Sequence, residues 1–196
     1  MDWYEENAQE YFEQTVDVDL RKLYAPFLAL LPEPARILDA GCGSGRDSLA
    51  FKEMGHEIVA FDASKKLAAV AARELGETVE VKRFQEIQYT SAFDGIWACA
   101  SLLHVPLREL PEVLSNLEVA LKQGGVLYMS FKKGDGERQH HGRTFTDFTE
   151  EALASLVTEN TNLSIERLWV TQDARPSRQA ELWVNILVKK VRIRHR

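Results

Sequence analysis

Along most of the chain, short apolar runs alternate with amphipathic stretches. The runs predict strands at 35–40 (ARILDA), 57–62 (EIVAFD), 78–82 (TVEVK), 93–99 (FDGIWAC), 125–131 (GVLYMSF), 163–170 (LSIERLWV) and 181–190 (ELWVNILVKK). Between them the spacing predicts a helix from Gly45 to Met54, closed by Gly55, and another capped by Ser64 and stopped at Gly76. A third carries Leu107, Leu110, Leu114, Leu117 and Leu121 on one face and is expected to end at Gly124-Gly125. A fourth follows Thr149, with Leu153, Leu156 and Val157 inward. Ahead of the first strand, 2–14 and 17–31 read as helices, the second interrupted by Pro26. Near-continuous apolar strands separated by helices imply a parallel sheet covered on both faces. The last two strands follow one another across the polar segment 171–180 and imply an antiparallel ending. The expected fold is therefore α/β: three layers, doubly wound, a seven-stranded mostly parallel sheet with an antiparallel edge strand. Residues 132–148 show no element and read as a long loop, of the kind that serves as a lid or binding loop.

The densest chemistry lies at the end of the first strand, in ILDAGCGSGRDS (37–48). Gly41, Gly43 and Gly45 permit positive φ and leave no Cβ between backbone and ligand. A turn into a helix also directs free N–H groups at whatever binds there. A dinucleotide fingerprint would need a small residue where Arg46 stands, and no Gly-Lys-Ser/Thr follows to make a phosphate-binding Walker loop. What remains is D-x-G-x-G-x-G, formed by Asp39, Gly41, Gly43 and Gly45.

With that motif the sequence resembles the class I methyltransferases that use S-adenosylmethionine. The resemblance continues in order through Asp62 in VAFDAS, Gln85 in RFQEI, FDGIWACASLLHVP (93–106) and LKQGGVLYMSF (121–131). GCGSGRDS and the compact size are most similar to the small-molecule and tellurite-resistance-type branch. The resemblance implies a class I methyltransferase, Rossmann-like fold in one domain over 1–196. Residues 1–34 would form a helical cap, 35–131 the cofactor-binding half and 132–190 the substrate side. It implies S-adenosylmethionine held among Asp39, Gly41, Cys42, Gly43, Gly45, Arg46, Asp62, Ala63, Ser64, Gln85, Ala98 and Tyr11. Asp62 would take the ribose hydroxyls, a task suited to an acceptor-only carboxylate; an acid favoured by a helix N-terminus is the plain alternative. Asp39 would organise the loop or meet the cationic methionine end. Gln85 would touch adenine or be a surface residue.

Methyl transfer from a sulfonium needs a dry, aligned pocket more than an array of catalytic groups. A protonated acceptor must still lose its proton, and His104, in the turn leaving the fourth strand, is the candidate base; a capping role is its alternative. Cys99 reads as packing. Tyr4, Tyr11 and Tyr24 either meet the sulfonium by cation–π attraction or pack, with packing favoured for Tyr24. Lys132, Lys133, Arg138, His140, His141 and Arg143 crowd the segment after the fifth strand, with Arg175 and Arg178 in the later crossover. Lys132, Arg143 and His104 are the expected acceptor contacts; solvated loop charge is the competing reading. The tail KKVRIRHR (189–196) reads as a solvated end.

Net charge of −6 excludes bulk electrostatic coating of nucleic acid. Two cysteines make no disulfide framework, and the adjacent His140-His141 has no i,i+4 partner for a metal. The acidic start lacks an export pattern, and no apolar stretch reaches bilayer length, so cytoplasmic location is the expectation. A small-molecule acceptor, no membrane, little nucleic-acid contact and a monomer or homodimer complete the picture. An RNA or protein methyltransferase, or a non-catalytic cofactor-binding module, are the alternatives.

Overall fold

The computed structural model describes residues 2–140 and 142–191, the side chain of Asp2 excepted, so His141 and the end of the basic tail lie outside the described residues. The strands are β1 (Arg36–Ala40), β2 (Glu57–Asp62), β3 (Glu80–Val81), β4 (Phe93–Ala98), β5 (Leu121–Lys132), β6 (Gly136–His140), β7 (Arg143–Asp147), β8 (Leu163–Gln172) and β9 (Leu182–Lys190). The helices are α1 (Asp2–Glu6), α2 (Ala8–Thr15), α3 (Arg21–Leu28), α4 (Arg46–Glu53), α5 (Lys65–Leu75), α6 (Leu110–Ala120) and α7 (Glu150–Asn160). Seven strands form one sheet in the order β3-β2-β1-β4-β5-β9-β8. The first five are parallel, and β9 runs antiparallel to both β5 and β8.

Alternation along the strands decides which layer each side chain enters. Ile37, Trp97, Val126 and Tyr128 face one way and pack with Tyr24 and Phe27 of α3 and Phe51 of α4. Leu38, Ile96, Leu127 and Met129 face the other way and pack with Leu110, Val113, Leu114 and Leu117 of α6. Burying both faces explains why these strands read as unbroken apolar runs. Ser64 caps α5 by accepting the Leu67 N–H at 3.2 Å, and Gly76 ends it at φ 66°. Thr149 caps α7 in the same way through Ala152. No helix among the described residues is long and apolar enough to cross a membrane.

Several sequence expectations need correction. The third predicted helix stops at Ala120, not at Gly124-Gly125, and Leu107–Glu109 is a separate 3-10 turn. Strand β5 begins at once and absorbs the glycines: Phe93 pairs with Leu121 but Gly95 pairs with Val126, so residues 122–125 bulge from the ladder, with Gly124 at φ 80°. Residues 132–148 are no loop; β6 and β7 form a two-stranded antiparallel sheet in register from Gly136↔Asp147 to His140↔Arg143. Its sequence hid this because only Phe145 and Phe148 supply apolar anchors, both buried in the main core beside Phe131. The region 2–31 holds three short helices rather than two, and β3 keeps only two of its expected residues.

Candidate functional site

The chain returns from β3 to the far side of β1 to make β4, so strand order reverses between β1 and β4. A crevice opens at such a switch, beyond the strand carboxyl ends. The three glycines after β1 all have positive φ, at 75°, 57° and 87°, but they serve three different contacts. A Cβ on Gly41 would lie 2.6 Å from the Ser101 Cβ, one on Gly43 3.1 Å from the Tyr11 ring, and one on Gly45 3.0 Å from the Ala71 Cβ of α5. Gly43 thus meets the N-terminal helices and Gly45 lets α4 and α5 approach.

The expected free N–H groups are largely spent within the fold. The amides of Gly41 and Cys42 donate to the Phe61 carbonyl at 3.0 and 2.9 Å, and that of Gly43 donates to Asp62 at 2.9 Å. The turn is therefore tied to the end of β2. Ser101 is itself fixed by its hydroxyl on the Ala40 carbonyl at 2.7 Å. Gly41→Ala should lose about 1–2 kcal/mol through its left-handed backbone alone, and more through collision with Ser101. Gly76→Ala, equally left-handed but with nothing within 4 Å, supplies the comparison. Urea denaturation of both should show Gly41→Ala as clearly worse; equal losses would remove Ser101 from the account.

Beneath the turn lies a buried acid pair. Asp39 accepts the Ser48 hydroxyl at 2.6 Å and is 2% exposed. Burial and the nearby Asp47 charge push its carboxyl well above the usual range. Asp47 accepts Tyr24 O–H at 2.6 Å, Trp97 Nε1–H at 2.8 Å and Arg46 Nε–H at 2.6 Å. Burial opposes its charge, but Arg46 and these donors hold it below the ordinary carboxylate value.

Two cavities flank the crevice. The smaller, about 390 Å³, is walled by Gly41, Gly43, Phe61, Asp62, Ala63, Ser64, Leu67, Phe84 and Gln85. The larger, about 1220 Å³, is walled by Arg46, Ala100, Ser130, Lys132, Phe145, Arg175, Trp183 and Asn185 among others. Tyr4, Tyr11, Ala100, His104 and Arg143 line both and stand where the two meet. Ala100 holds φ 51°, rare for a residue with a Cβ, and its N–H donates to Ser130 Oγ at 2.8 Å.

Asp62 accepts from the Gly43 and Ser64 amides, at 2.9 and 2.8 Å, with spare lone pairs at the cavity wall. Burial pushes its carboxyl up to about 6 against those two bonds. His104 Nδ1 lies 2.9 Å from the Thr144 carbonyl and Nε2 2.7 Å from Tyr4 Oη. Burial pushes the imidazole down to about 4.

Cations around the larger cavity are mostly neutralised. Arg46 pairs with Asp47, Lys132 with Glu181, Lys133 with Glu150, Arg138 with Asp147 and Arg175 with Asp173. Arg143 makes no ion pair among the described residues: it lies over the Trp3 ring at 4.1 Å, and its buried Nε has no hydrogen-bond partner.

The structure therefore brings Gly41, Gly43, Asp62, Ala63, Ser64, Gln85, Tyr11, His104 and Arg143 to the smaller cavity, and Arg46 and Lys132 to the larger. It does not bring Asp39, Cys42, Gly45 or Ala98 to either wall: Asp39 is capped by Ser48, Gly45 packs on Ala71, and Ala98 is fully buried. Gln85 is exposed and donates to Glu109 at 2.7 Å. Sequence reasoning passed over Asp47, Trp3 and the Tyr4–His104 contact. The acid beside Arg46 carried a visible signal, being a charge placed just after the glycine turn.

The small cavity's fit to a nucleoside rests on its donor set: a carboxylate acceptor, apolar walls from Phe61, Leu67 and Phe84, and a glycine surface that a Cβ would fill. Residues 37–125 match the family model described as a methyltransferase domain. A ubiquinone biosynthesis O-methyltransferase from Xanthomonas campestris is 33% identical over 103 residues, 49% of this chain and 42% of that protein. An uncharacterized methyltransferase from Staphylococcus carnosus is 27% identical over 135 residues, 65% of each chain. The chain thus spans less than two thirds of the length of either curated relative. The crystal structure of Burkholderia thailandensis 1,6-didemethyltoxoflavin-N1-methyltransferase, with bound 1,6-didemethyltoxoflavin and S-adenosylhomocysteine, superposes with a TM-score of 0.79. It is 24% identical, and the match covers 97% of this chain and 85% of that one. At that identity the likeness shows the fold.

Proposed function

We propose that this chain is a class I S-adenosylmethionine-dependent methyltransferase, a reading supported by the methyltransferase-domain match over residues 37–125, and that it moves a methyl group onto a small metabolite that is anionic or a soft nucleophile. The observation that carries the reading is the meeting of two unlike cavities at Tyr4, Tyr11, His104 and Arg143. On one side, Asp62 and the Gly43 backbone suit the ribose and amino-acid parts of the cofactor. On the other, aromatic walls and a guanidinium with no carboxylate partner among the described residues suit a compact acceptor bearing negative charge. When bound, S-adenosylmethionine supplies an electrophilic methyl on a sulfonium. The chain's own residues orient the two molecules in line and keep water out. Arg143, rather than the already paired Lys132, is the acceptor-side cation.

Calorimetry with S-adenosylhomocysteine and NAD, followed by a labelled-methyl screen over thiols, phenols, carboxylates, RNA and protein, tests this. S-adenosylhomocysteine should bind and NAD should not, and label should enter a small molecule with RNA and protein inert. Binding of NAD alone would overturn the reading, and label in RNA would replace its acceptor class.

A further inference from the structure

Both nitrogens of His104 are already engaged. The Thr144 carbonyl can only accept, so Nδ1 carries the hydrogen. Nε2 therefore presents a lone pair, and the Tyr4 hydroxyl, 2.7 Å away, donates to it. No nitrogen is left for an acceptor molecule unless the Tyr4 bond is broken. Tyr4 Oη keeps its own lone pairs at the junction of the two cavities, with Arg143 Nη1 3.4 Å away. Its ring is held edge-on by Trp3 and Tyr11, at 5.2 and 5.3 Å between centroids.

We propose that the Tyr4 phenol is the catalytic residue that takes the proton from the methyl acceptor, passing its own proton to His104 behind it. The inference rests on the methyl-transfer reading. As the acceptor's lone pair bonds the methyl carbon, the carbon–sulfur electrons return to sulfur. The acceptor's proton goes to Tyr4 Oη, and the phenolic proton goes to His104 Nε2. A positive charge disappears from sulfur and one appears on the imidazole, so the site's net charge is unchanged. Product departure through the larger cavity lets the imidazolium return its proton to water. Arg143 steadies the negative charge that gathers on the phenol oxygen in passing.

Among the described residues, the charged groups around the pair are Arg143 of β7, Lys132 of β5, Asp62 of β2 and Arg175 from the β8–β9 connection. Burial raises the Tyr4 phenol and lowers the His104 imidazole, so both are neutral at pH 7, the state the relay needs.

Two measurements test it, using wild type, Tyr4→Phe and His104→Asn, the last keeping a donor for Thr144. The first is ¹⁵N NMR of His104 in the S-adenosylhomocysteine complex. Wild type should show the Nδ1–H tautomer with a hydrogen-bonded Nε2, and Tyr4→Phe should show that Nε2 released. An Nε2–H tautomer overturns the relay without reference to turnover. The second is transfer to two probes at pH 7: catechol, which is protonated, and 4-nitrothiophenol, which is already a thiolate. Both variants should lose at least about 100-fold more rate on catechol than on the thiolate. Equal losses on the two probes reduce Tyr4 to a positioning residue, and undiminished catechol turnover in Tyr4→Phe overturns the proposal. Failure of S-adenosylhomocysteine to bind sinks the methyl-transfer reading and takes the relay with it, whereas binding of S-adenosylhomocysteine with methylation of neither probe overturns the relay alone.

Discussion

Replacing Asp47 by alanine should lower the free energy of unfolding by about 3–5 kcal/mol, the usual cost of removing one member of a buried ion pair. The carboxylate is 6% exposed and is the common acceptor for Arg46, Tyr24 O–H and Trp97 Nε1–H. Removing it strands a guanidinium under the glycine turn and leaves two aromatic donors without partners, at about 1–3 kcal/mol for each buried polar group. Those terms overlap, so the upper part of the range is the ceiling. The aromatic cluster around it magnifies the effect. Tyr24, Phe51 and Trp97 meet at centroid distances of 4.9 to 5.4 Å, and Trp97 stacks on Tyr128 at 3.9 Å. Urea denaturation at pH 7 measures the loss, and one below about 1 kcal/mol would mean that the network is ornamental. The double substitution Arg46→Met with Asp47→Leu should recover part of it, because the stranded charge is gone.

The same carboxyl sets a pH direction. Its folded-state value lies below the unfolded one, so its stabilisation is present above the unfolded carboxylate value and is lost as pH falls through the folded one. Asp39, raised by burial and by Asp47, works in the opposite direction and favours folding while it holds its proton. The two acids divide the labour: Arg46 favours the charged form of Asp47, while burial and the Asp47 charge favour the protonated form of Asp39, which accepts the Ser48 hydroxyl.

The sheet was legible because burial on both faces leaves a plain trace in composition, as in the run through Val126, Leu127, Tyr128 and Met129. Caps were legible where one side chain does the work, as at Ser64 and Thr149. The β6–β7 hairpin was not, because a small sheet with one exposed face needs few apolar anchors, and Phe145 and Phe148 looked isolated among charges. Gly124-Gly125 misled for a related reason: a glycine pair after a leucine stripe can stop a helix or bulge a strand, and the pairing partner at Phe93 and Gly95 decides which. At the site, Asp62 and His104 could be picked out by position after strand ends. Their partners could not. Tyr4 is 100 residues away from His104 along the chain, and nothing local marks the contact. Nor can spacing tell Lys132, silenced by Glu181, from Arg143, which has no such acid among the described residues.

Asp62→Asn should weaken S-adenosylhomocysteine binding by about 100-fold at pH 7, near the upper end for losing hydrogen bonds to a charged group. In the native site both carboxylate oxygens accept backbone N–H groups, from Gly43 and Ser64, and still face the cavity. An amide has one accepting oxygen, so its NH₂ must confront one of those donors. The turn that carries Gly43 then loosens together with the proposed ribose contact. Because burial raises the carboxyl to about 6, two pH trends should run in opposite directions. Ligand affinity of wild type is full above pH 6 and falls by up to about tenfold per unit below it, as the acceptor takes on a proton; the asparagine variant has no such fall, so the gap in affinity closes. Folding stability behaves in reverse. The unfolded chain gives up this proton near pH 4 and the folded chain near pH 6, so wild type gains stability relative to the variant as pH drops from 7 to 4. Calorimetry of binding and urea denaturation, each at pH 5 and pH 7, read the two slopes. If both move in the same direction, Asp62 is a structural acid and the ligand's ribose sits elsewhere; opposed slopes identify a carboxylate kept charged at a cost to the fold because the ligand requires it.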